Sequence, residues 1–386
     1  MSKYRFNTLL NCLRLDNIED RQERLKTDPL AAVSSFFNKF IANCQSHYTP
    51  GPYTCIDEML LAFKGRCKFI VYMPNIPAKY GIKIMVLTDA RTFYVYNAYI
   101  YHGKGSDGTG LPEAEKKLAV PTQSVLRLAK PIENTNRNIT ADNWFSSIPL
   151  AEILLKKGLT YLGTLKKNKR EIPPEFKPNK TRPVGSSLYG FTKDLTLVSY
   201  VPKKDKAVVL LSTCHHSPST DENTGKPVMI IDYNQTKGGV DEVDKKCAIY
   251  SCARKTRRWP QAIFYRLVDI AGINTFVLYG QCQGAKLRRG DFLLHLAREL
   301  VLPALKQRVY NDKLPRELRM TLRRVLGRDL PHPPPPTEPE SSSARKLCRV
   351  CPSKLKRQTR FSCCACGKPI YLQCASQICE DCKSEV

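Results

Sequence analysis

"NQTKGGVDEVDKKC", residues 234–247, places Asp241 and Asp244 three positions apart, just after a Gly-Gly break. Gly238 and Gly239 end one segment and let a helix start near Val240. Taken alone, the stretch reads as an ordinary charged helix start. Acidic residues suit a first turn, where the helix dipole is positive, and Asp241 and Lys245 are spaced to pair. The same spacing has a second reading. Positions i and i+3 share one helix face, and two carboxylates facing a cavity suit a hard divalent cation such as Mg²⁺. More acids from elsewhere would be needed to complete such a site, and the elements that carry them decide the architecture.

Two aspartates qualify. Asp57, in TCIDEMLLAF (54–63), lies in an expected strand among apolar residues, where an unpaired buried charge is costly; beside it, Glu58 leaves open a plain exposed strand face. Asp142, in NITADNWFSS (138–147), ends an expected strand and precedes an aromatic-led helix, where an Asp is commonly a cap. Each has a bland explanation. Together they make a set of strand acid, strand-end acid and helical pair. Phosphodiester cleavage with two cations requires several carboxylates of this kind, and catalysis is then mostly positioning and charge neutralisation.

The rest of the chain bounds the partner. Its 386 residues are enough for two or three domains, and a hydrophobic fraction of 42% supports a substantial core. The net charge of +27 favours a polyanionic partner, of which nucleic acid is the commonest, with an anionic membrane surface as the alternative. No stretch reads as a membrane insertion: MSKYRFNTLLNCLRLDN lacks a continuous apolar run, and AIFYRLVDIAGINTFVLYG (262–280) is interrupted by Arg266 and Asp269 and reads as a buried helix.

Apolar spacing predicts helices in 1–50, strands over 53–101 (CKFIVYMP, KIMVLTDA, TFYVYNAYIY), and a helix through EAEKKLAVPTQSVLRLA kinked or divided at Pro121. A strand at 137–141, a helix from Trp144 to Lys157 and the strand LTYLGTL follow. Residues 166–226 are basic, Pro-rich and mostly strand and loop, and helices return after 235. This is an α/β nucleus held between helical parts distant in sequence. DLPHPPPPTEPESSS (329–343) is a linker.

The basic runs KKNKR (Lys166, Lys167, Lys169, Arg170) and ARKTRRW (Arg254, Lys255, Arg257, Arg258), with KLRR (286–289) and LRRVLGR (322–328), are candidate phosphate contacts; each alone could equally be a solvated face. KKNKR and RKTRR also suit nuclear import, so a nuclear location is expected. Of the 16 cysteines, eight fall between 348 and 382. Cys348/Cys351, Cys363/Cys366 and Cys379/Cys382 are three CxxC pairs, with Cys374 a seventh ligand. With no secretory signal this pattern points to Zn²⁺, and so short a segment could hardly fold without a metal or disulfides.

TCIDEMLLAFKGRCKFIVYMPNIPAKYGIKI, NITADNWFSSIPLAEILLKKGLTYLGTLKKNKREIPPEF, TRPVG, LTLVSY and STDENTGKPVMIIDYNQTKGGVDEVDKKCAIYSCARKTRRWP resemble the piggyBac family of DNA transposases over almost the whole chain. The resemblance implies an RNase H-like catalytic core interrupted by a β-rich insertion, flanked by helical dimerisation and DNA-binding segments, with a small Cys-rich zinc finger at the end. On this sequence that division is 1–52 partial helical domain, 53–165 core, 166–226 insertion, 227–250 core, 251–328 helical DNA-binding domain, 329–345 linker and 346–386 finger. Asp57, Asp142, Asp241 and Asp244 match the family's four catalytic aspartates, which implies that they hold two Mg²⁺. The implied reaction is cut-and-paste: each transposon end is nicked to a 3′-hydroxyl, which attacks the opposite strand to make a hairpin. The hairpin is reopened, the ends join target DNA at TTAA, and excision leaves no scar. The implied partners are double-stranded DNA and a second copy of the chain. The family's tail is a cross-brace finger with two Zn²⁺ that reads the terminal repeats. Here the Cys363/Cys366/Cys379/Cys382 site has all its ligands, while Cys348/Cys351/Cys374 is one short: Tyr371 stands where a ligand is expected and Cys374 replaces a histidine. MSKYRF resembles an internal family motif, so the first helical domain reads as incomplete. A transposase is the first reading. A domesticated, transposon-derived DNA- or chromatin-binding protein without transposition is the alternative, and inverted repeats bounded by TTAA in the flanking genome would separate the two.

Overall fold

Strand β1 (Tyr53–Ala62) organises the molecule. Its buried positions alternate between two cores: Ile56 faces one, while Cys55, Met59 and Leu61 face the other. A strand buried on both faces reads as a nearly continuous apolar run, as this one does. Antiparallel to β1 runs β3 (Tyr80–Asp89), which in turn pairs with β2 (Ile70–Tyr72) and β4 (Val95–Ile100). On the other side, β5 (Asn138–Ala141) runs parallel to β1, and β6 (Thr160–Thr164) parallel to β5.

The sheet does not stop there. β9 (Lys206–Ser212) pairs antiparallel with β6, then β8 (Thr196–Lys203) with β9 and β7 (Ser187–Phe191) with β8, giving nine strands in the order β2-β3-β1-β5-β6-β9-β8-β7 with β4 also on β3. The β-rich stretch 166–226 thus continues the central sheet. The fold is mixed α/β.

Helices cover both faces. α1 (Lys3–Cys12), the single turn α2 (Arg21–Arg24) and α3 (Ser34–Ser46) open the chain. Of the kink or division expected at Pro121, the structure shows a division, and it falls just before the proline: α4 (Glu113–Lys116) ends and α5 (Val120–Ala129) starts with Pro121 in its first turn, where a proline is tolerated. α6 (Ile148–Lys156) starts four residues later than Trp144, because Ser147 is its cap, accepting from the Leu150 N–H at 3.2 Å, and 142–146 form a turn. α5 and α6 pack Leu126, Leu128, Leu150 and Leu154 on the Ile56 side of the sheet. α7 (Val228–Thr236) and α8 (Gly239–Ile249) follow the last strand, then α9 (Trp259–Gln283). α9 is long and apolar enough to cross a membrane by length and composition; in the fold Ile263, Leu267, Ile270 and Ile273 join Val240 and Val243 of α8 on the Cys55 side of the sheet.

The computed structural model describes residues 1–178, 180–283, 287–311, 313–331, 345–363 and 366–375. Most of the expected linker, 332–344, lies outside them. The chain divides into two compact units, Met1–Leu287 and Arg288–Val386. The division falls inside 251–328, which the sequence alone presents as one helical segment. The second unit contains α10 (Arg289–Arg308) and α11 (Arg316–Leu326), joined through Val309, Leu322 and Leu326, and the short ribbon β10 (Lys346–Leu347) and β11 (Gln358–Thr359).

One buried acid holds the start of the sheet and belongs to no catalytic set. Asp89, only 1% exposed, accepts from Tyr48 Oη (2.9 Å) and from the N–H groups of Gly51 (2.7 Å), Arg91 (2.8 Å) and Thr92 (2.9 Å). Burial alone would raise this carboxyl, but those donors hold it below its ordinary value. Asp89→Ala would leave three backbone N–H donors without their acceptor and remove one of the partners of Tyr48 Oη, which also contacts Thr92 Oγ1 at 2.8 Å, and is expected to cost about 3–5 kcal/mol in chemical denaturation. A depressed carboxyl stabilises above its unfolded-state value near pH 4, and that contribution is lost as pH falls through the lower folded value. The wild-type advantage over Asp89→Ala should therefore shrink below about pH 4.

Candidate active site

The parallel register of β1 and β5 sets the first two acids side by side. The last paired residues are Ile56 and Ala141, and Asp57 and Asp142 each come next along their strands. Asp142 Oδ1 accepts from the Trp144 N–H at 2.8 Å, so the carboxylate is held in a tight turn instead of capping α6.

The third acid arrives on α8. Gly239, its first residue, lies so close to the sheet that a Cβ there would stand 2.4 Å from Thr88 Oγ1 and 2.8 Å from Cys55 Cβ. Only glycine permits that approach. Cys55 Sγ completes the junction by donating to the Lys237 carbonyl at 3.1 Å. Asp241 follows two positions later in the first turn of α8, and makes no ion pair or hydrogen bond with the described residues. Lys245, spaced to pair with it, reaches Glu242 instead, at 3.3 Å.

The convergence is visible in the chemistry of Asp57, which is pushed up to about 8. Burial is the largest cause and the adjacent Glu58 charge the next; Asp142 and Asp241 both add to them, against the Glu58 N–H donated at 2.8 Å. Glu58 itself is 3.8 Å from Lys83 Nζ, which also lies over the Trp144 ring at 4.7 Å. A half-buried carboxyl under the influence of a half-buried and an exposed carboxylate is part of a donor set lacking positive charge. All their donors are oxygens, which suits a hard divalent cation such as Mg²⁺. Their oxygens are not drawn into a cluster within 4.8 Å of one another; among the described residues only Cys348, Cys351 and Cys374 are.

Asp244 stands apart. Its Oδ1 pairs with Arg266 Nη1 of α9 at 2.7 Å, with side chains 40% and 13% exposed respectively. Arg266 also approaches Met59 Sδ at 3.5 Å. The fourth acid of the expected tetrad is thus engaged with a buried guanidinium beneath the site.

The basic runs divide. Lys166, Lys167 and Arg170 are exposed and Lys169 is half-buried, in the turn after β6. In the second run Lys255 and Arg257 are exposed, while the other two cations hold the N-terminal segment. Arg258 donates to the Asn11 and Leu13 carbonyls at 3.0 and 2.6 Å, and Arg254 lies over the Phe6 ring at 5.1 Å. Trp259 packs edge-on against Phe69, as a core residue. Lys286 lies outside the described residues.

In the second unit, Cys348, Cys351 and Cys374 hold their sulfurs within 4.8 Å of one another. Cys348 Sγ accepts from the N–H groups of Tyr371 (3.2 Å), Val350 (3.4 Å) and Cys351 (3.4 Å). Burial would raise this thiol, but those donors bring it down to about 7. Close thiols with one favoured as thiolate fit Zn²⁺. Tyr371 contributes its N–H to this site, and its ring lies under the Arg357 guanidinium at 5.2 Å. Cys363 and Cys366 are neighbours: burial raises the Cys366 thiol and the Cys363 thiol adds to it. Cys379 and Cys382, expected to complete that second set, lie outside the described residues.

The chain is similar to known proteins. A family model described as Transposase IS4 matches residues 1–276. A cryo-EM structure of the piggyBac transposase synaptic complex with hairpin DNA superposes with a TM-score of 0.80 at 41% identity, covering 99% of this chain and 80% of that one. The human piggyBac transposable element-derived protein 2 is 22% identical over 280 residues, 68% of this chain and 46% of that protein. The chain thus spans about half the length of this curated relative. On the family match and the extent of the structural identity, the chain belongs to the Transposase IS4 family, among the piggyBac transposases.

Proposed function

We propose that the chain is a metal-dependent cut-and-paste DNA transposase that cleaves transposon ends and joins them to target DNA at TTAA through hairpin ends. The observation that carries this reading is the convergence of Asp57, Asp142 and Asp241 from β1, the end of β5 and the start of α8, registered in the raised Asp57 carboxyl. Two bound Mg²⁺ would supply activation of the attacking hydroxyl and charge neutralisation at the leaving oxygen. The protein residues divide the remaining tasks. Asp57 and Asp142 fix the site to rigid strands, Asp241 brings α8 to it, and Asp244 neutralises the buried Arg266 that keeps α8 and α9 together. Lys166, Lys167, Arg170, Lys255 and Arg257 are exposed and suited to phosphate contact. The solved relative was captured as a synaptic complex with hairpin DNA, which supports the hairpin route and a pair of copies acting together.

The test is strand nicking of transposon-end DNA from the source genome by the full chain, with and without Mg²⁺. Mg²⁺-dependent nicking at the end supports the reading. Tight, salt-sensitive binding with no nicking would replace it with a DNA-docking protein that has lost transposition.

A further inference from the structure

The turn after β9 carries a group that the acid set does not use. His215 Nε2 donates to Asp232 Oδ2 of α7 at 2.9 Å, since an ionised carboxylate can only accept. Its Nδ1 lies 2.7 Å from Oγ of Ser212, the last residue of β9, and 3.4 Å from Cys214 Sγ. The line of hydrogen bonds continues through α7. The Asp232 carbonyl accepts from Thr236 Oγ1 at 2.7 Å, and Thr236 Oγ1 accepts from Thr140 Oγ1 of β5 at 2.8 Å. Thr140, Thr236, Asp232, His215 and Ser212 thus tie α7 to the two strands that flank β6. Thr140 stands two residues before Asp142. Beyond Thr236, only Lys237 and Gly238 separate α7 from α8, the helix that carries Asp241.

Apolar packing does not fix the lie of α7. Met229, Ile230 and Tyr233 seat it on Leu162, Val198 and Leu210. Such contact is non-directional, so it sets a distance from the sheet and leaves the position along it to the directional bonds. We propose that His215 is a positioning residue for the metal site: by holding Asp232 it sets where α7 lies, and so where α8 presents Asp241. The inference rests on the metal-dependent reading of the acids. Side chains 16% and 34% exposed leave the His215–Asp232 pair shielded but in reach of water, so the ring can titrate in the folded chain. Among the described residues, the titratable groups facing the ring are Cys214, from its own turn, and Asp232, from α7. β8 contributes the Thr196 hydroxyl, on the His215 carbonyl, and β5 the Asn138 amide, on Cys214 Sγ. Burial alone would lower this imidazole, but the hydrogen bonds and charges of Cys214 and Asp232 hold it above its ordinary value. A raised imidazole stabilises fully below its unfolded value of about 6.5, and that contribution is lost as pH rises through the higher folded value. The tie on α7 is therefore tighter on the acid side.

The experiment measures Mn²⁺ affinity, as a spectroscopic stand-in for Mg²⁺, and amide exchange over 228–241 in the full chain without DNA, for wild type, His215→Ala and His215→Gln. Groups that hold metal ligands in place typically cost about 10–100-fold in affinity when mutated. His215 acts at a further remove, so His215→Ala should weaken Mn²⁺ by about fivefold, with faster exchange in α7 and unchanged exchange in β1 and β5. His215→Gln places an amide N–H where Nε2 stands and should recover most of the affinity. Its exchange should lose the pH dependence of wild type, in which α7 exchanges about threefold more slowly at about pH 6 than at about pH 8.5 once intrinsic chemistry is corrected for. Wild-type Mn²⁺ affinity in His215→Ala overturns the inference, even with faster exchange in α7, because His215 would then only stabilise the helix. A loss that His215→Gln does not recover also overturns it. Cleavage plays no part in this readout. A chain whose Mn²⁺ affinity depends on His215 but that never nicks keeps this inference and loses the transposase reading, and one that nicks with an affinity indifferent to His215 does the reverse.

Discussion

Asp142→Asn is expected to reduce Mg²⁺-dependent strand cleavage by about 10³-fold or more while leaving melting temperature and DNA affinity within error, and Asp57→Asn is expected to match it. The charge neutralisation a cation supplies at a phosphoryl centre amounts to several kcal/mol, and about 1.4 kcal/mol is tenfold in rate. Amide substitution keeps size and some hydrogen bonding; the amide oxygen introduced at position 142 can still accept from the Trp144 N–H that Asp142 binds at 2.8 Å. Asp57 is raised to about 8 first by burial and next by the Glu58 charge, with Asp142 and Asp241 adding less, so removing the Asp142 charge relieves only a little repulsion. Asp244→Asn should behave differently. It removes the counter-charge of Arg266, whose side chain is only 13% exposed, but Asp244 is itself 40% exposed and solvent screens the pair, so the expected cost is about 1 kcal/mol. Activity and melting temperature should therefore fall together at Asp244, but separate at Asp57 and Asp142. Retained cleavage in either of the latter variants would remove that residue from the catalytic set.

The second large effect concerns the tail. The chain should purify with zinc, and Cys348→Ser should weaken retention by about 10²-fold or more, read by metal analysis after competition with a chelator. Zinc-dependent folding confined to 345–375 predicts rapid proteolysis of that segment in the variant, with the melting of Met1–Leu287 unchanged, because the two are separate compact units. Zinc content and protease resistance equal to wild type would mean that the three clustered sulfurs hold no ion.

Much of this arrangement is readable from residue order. The runs CKFIVYMP and KIMVLTDA become β2 and β3 where β-branched and aromatic residues predict them. The break at Gly238-Gly239 separates α7 from α8 as expected, and its deeper reason, the close approach to Thr88 and Cys55, exists only in three dimensions. Several roles have no local signal. Asp89 ends KIMVLTDA as one more acid, and its four donors come from the turn after it and from residues about forty positions earlier. Arg254 and Arg258 look like phosphate contacts because a run of cations carries no record of which carbonyls or rings lie opposite. Asp244 shares a helix with Asp241, but only the placement of α9 shows that Arg266 engages it.

The junction between Cys55 and Lys237 bridges 182 positions of sequence. At about 5–20 residues per second, a nascent chain completes β1 about 10–40 s before α8 exists to close over it. Closing so large a loop is also entropically slow. During that interval the strand acids are present without their helical partner. Assembly order therefore acts as a delay on the proposed strand cutting: no partial product of translation ending before α8 has the full set of acids, and the proposed site becomes available only once the sheet it depends on is complete.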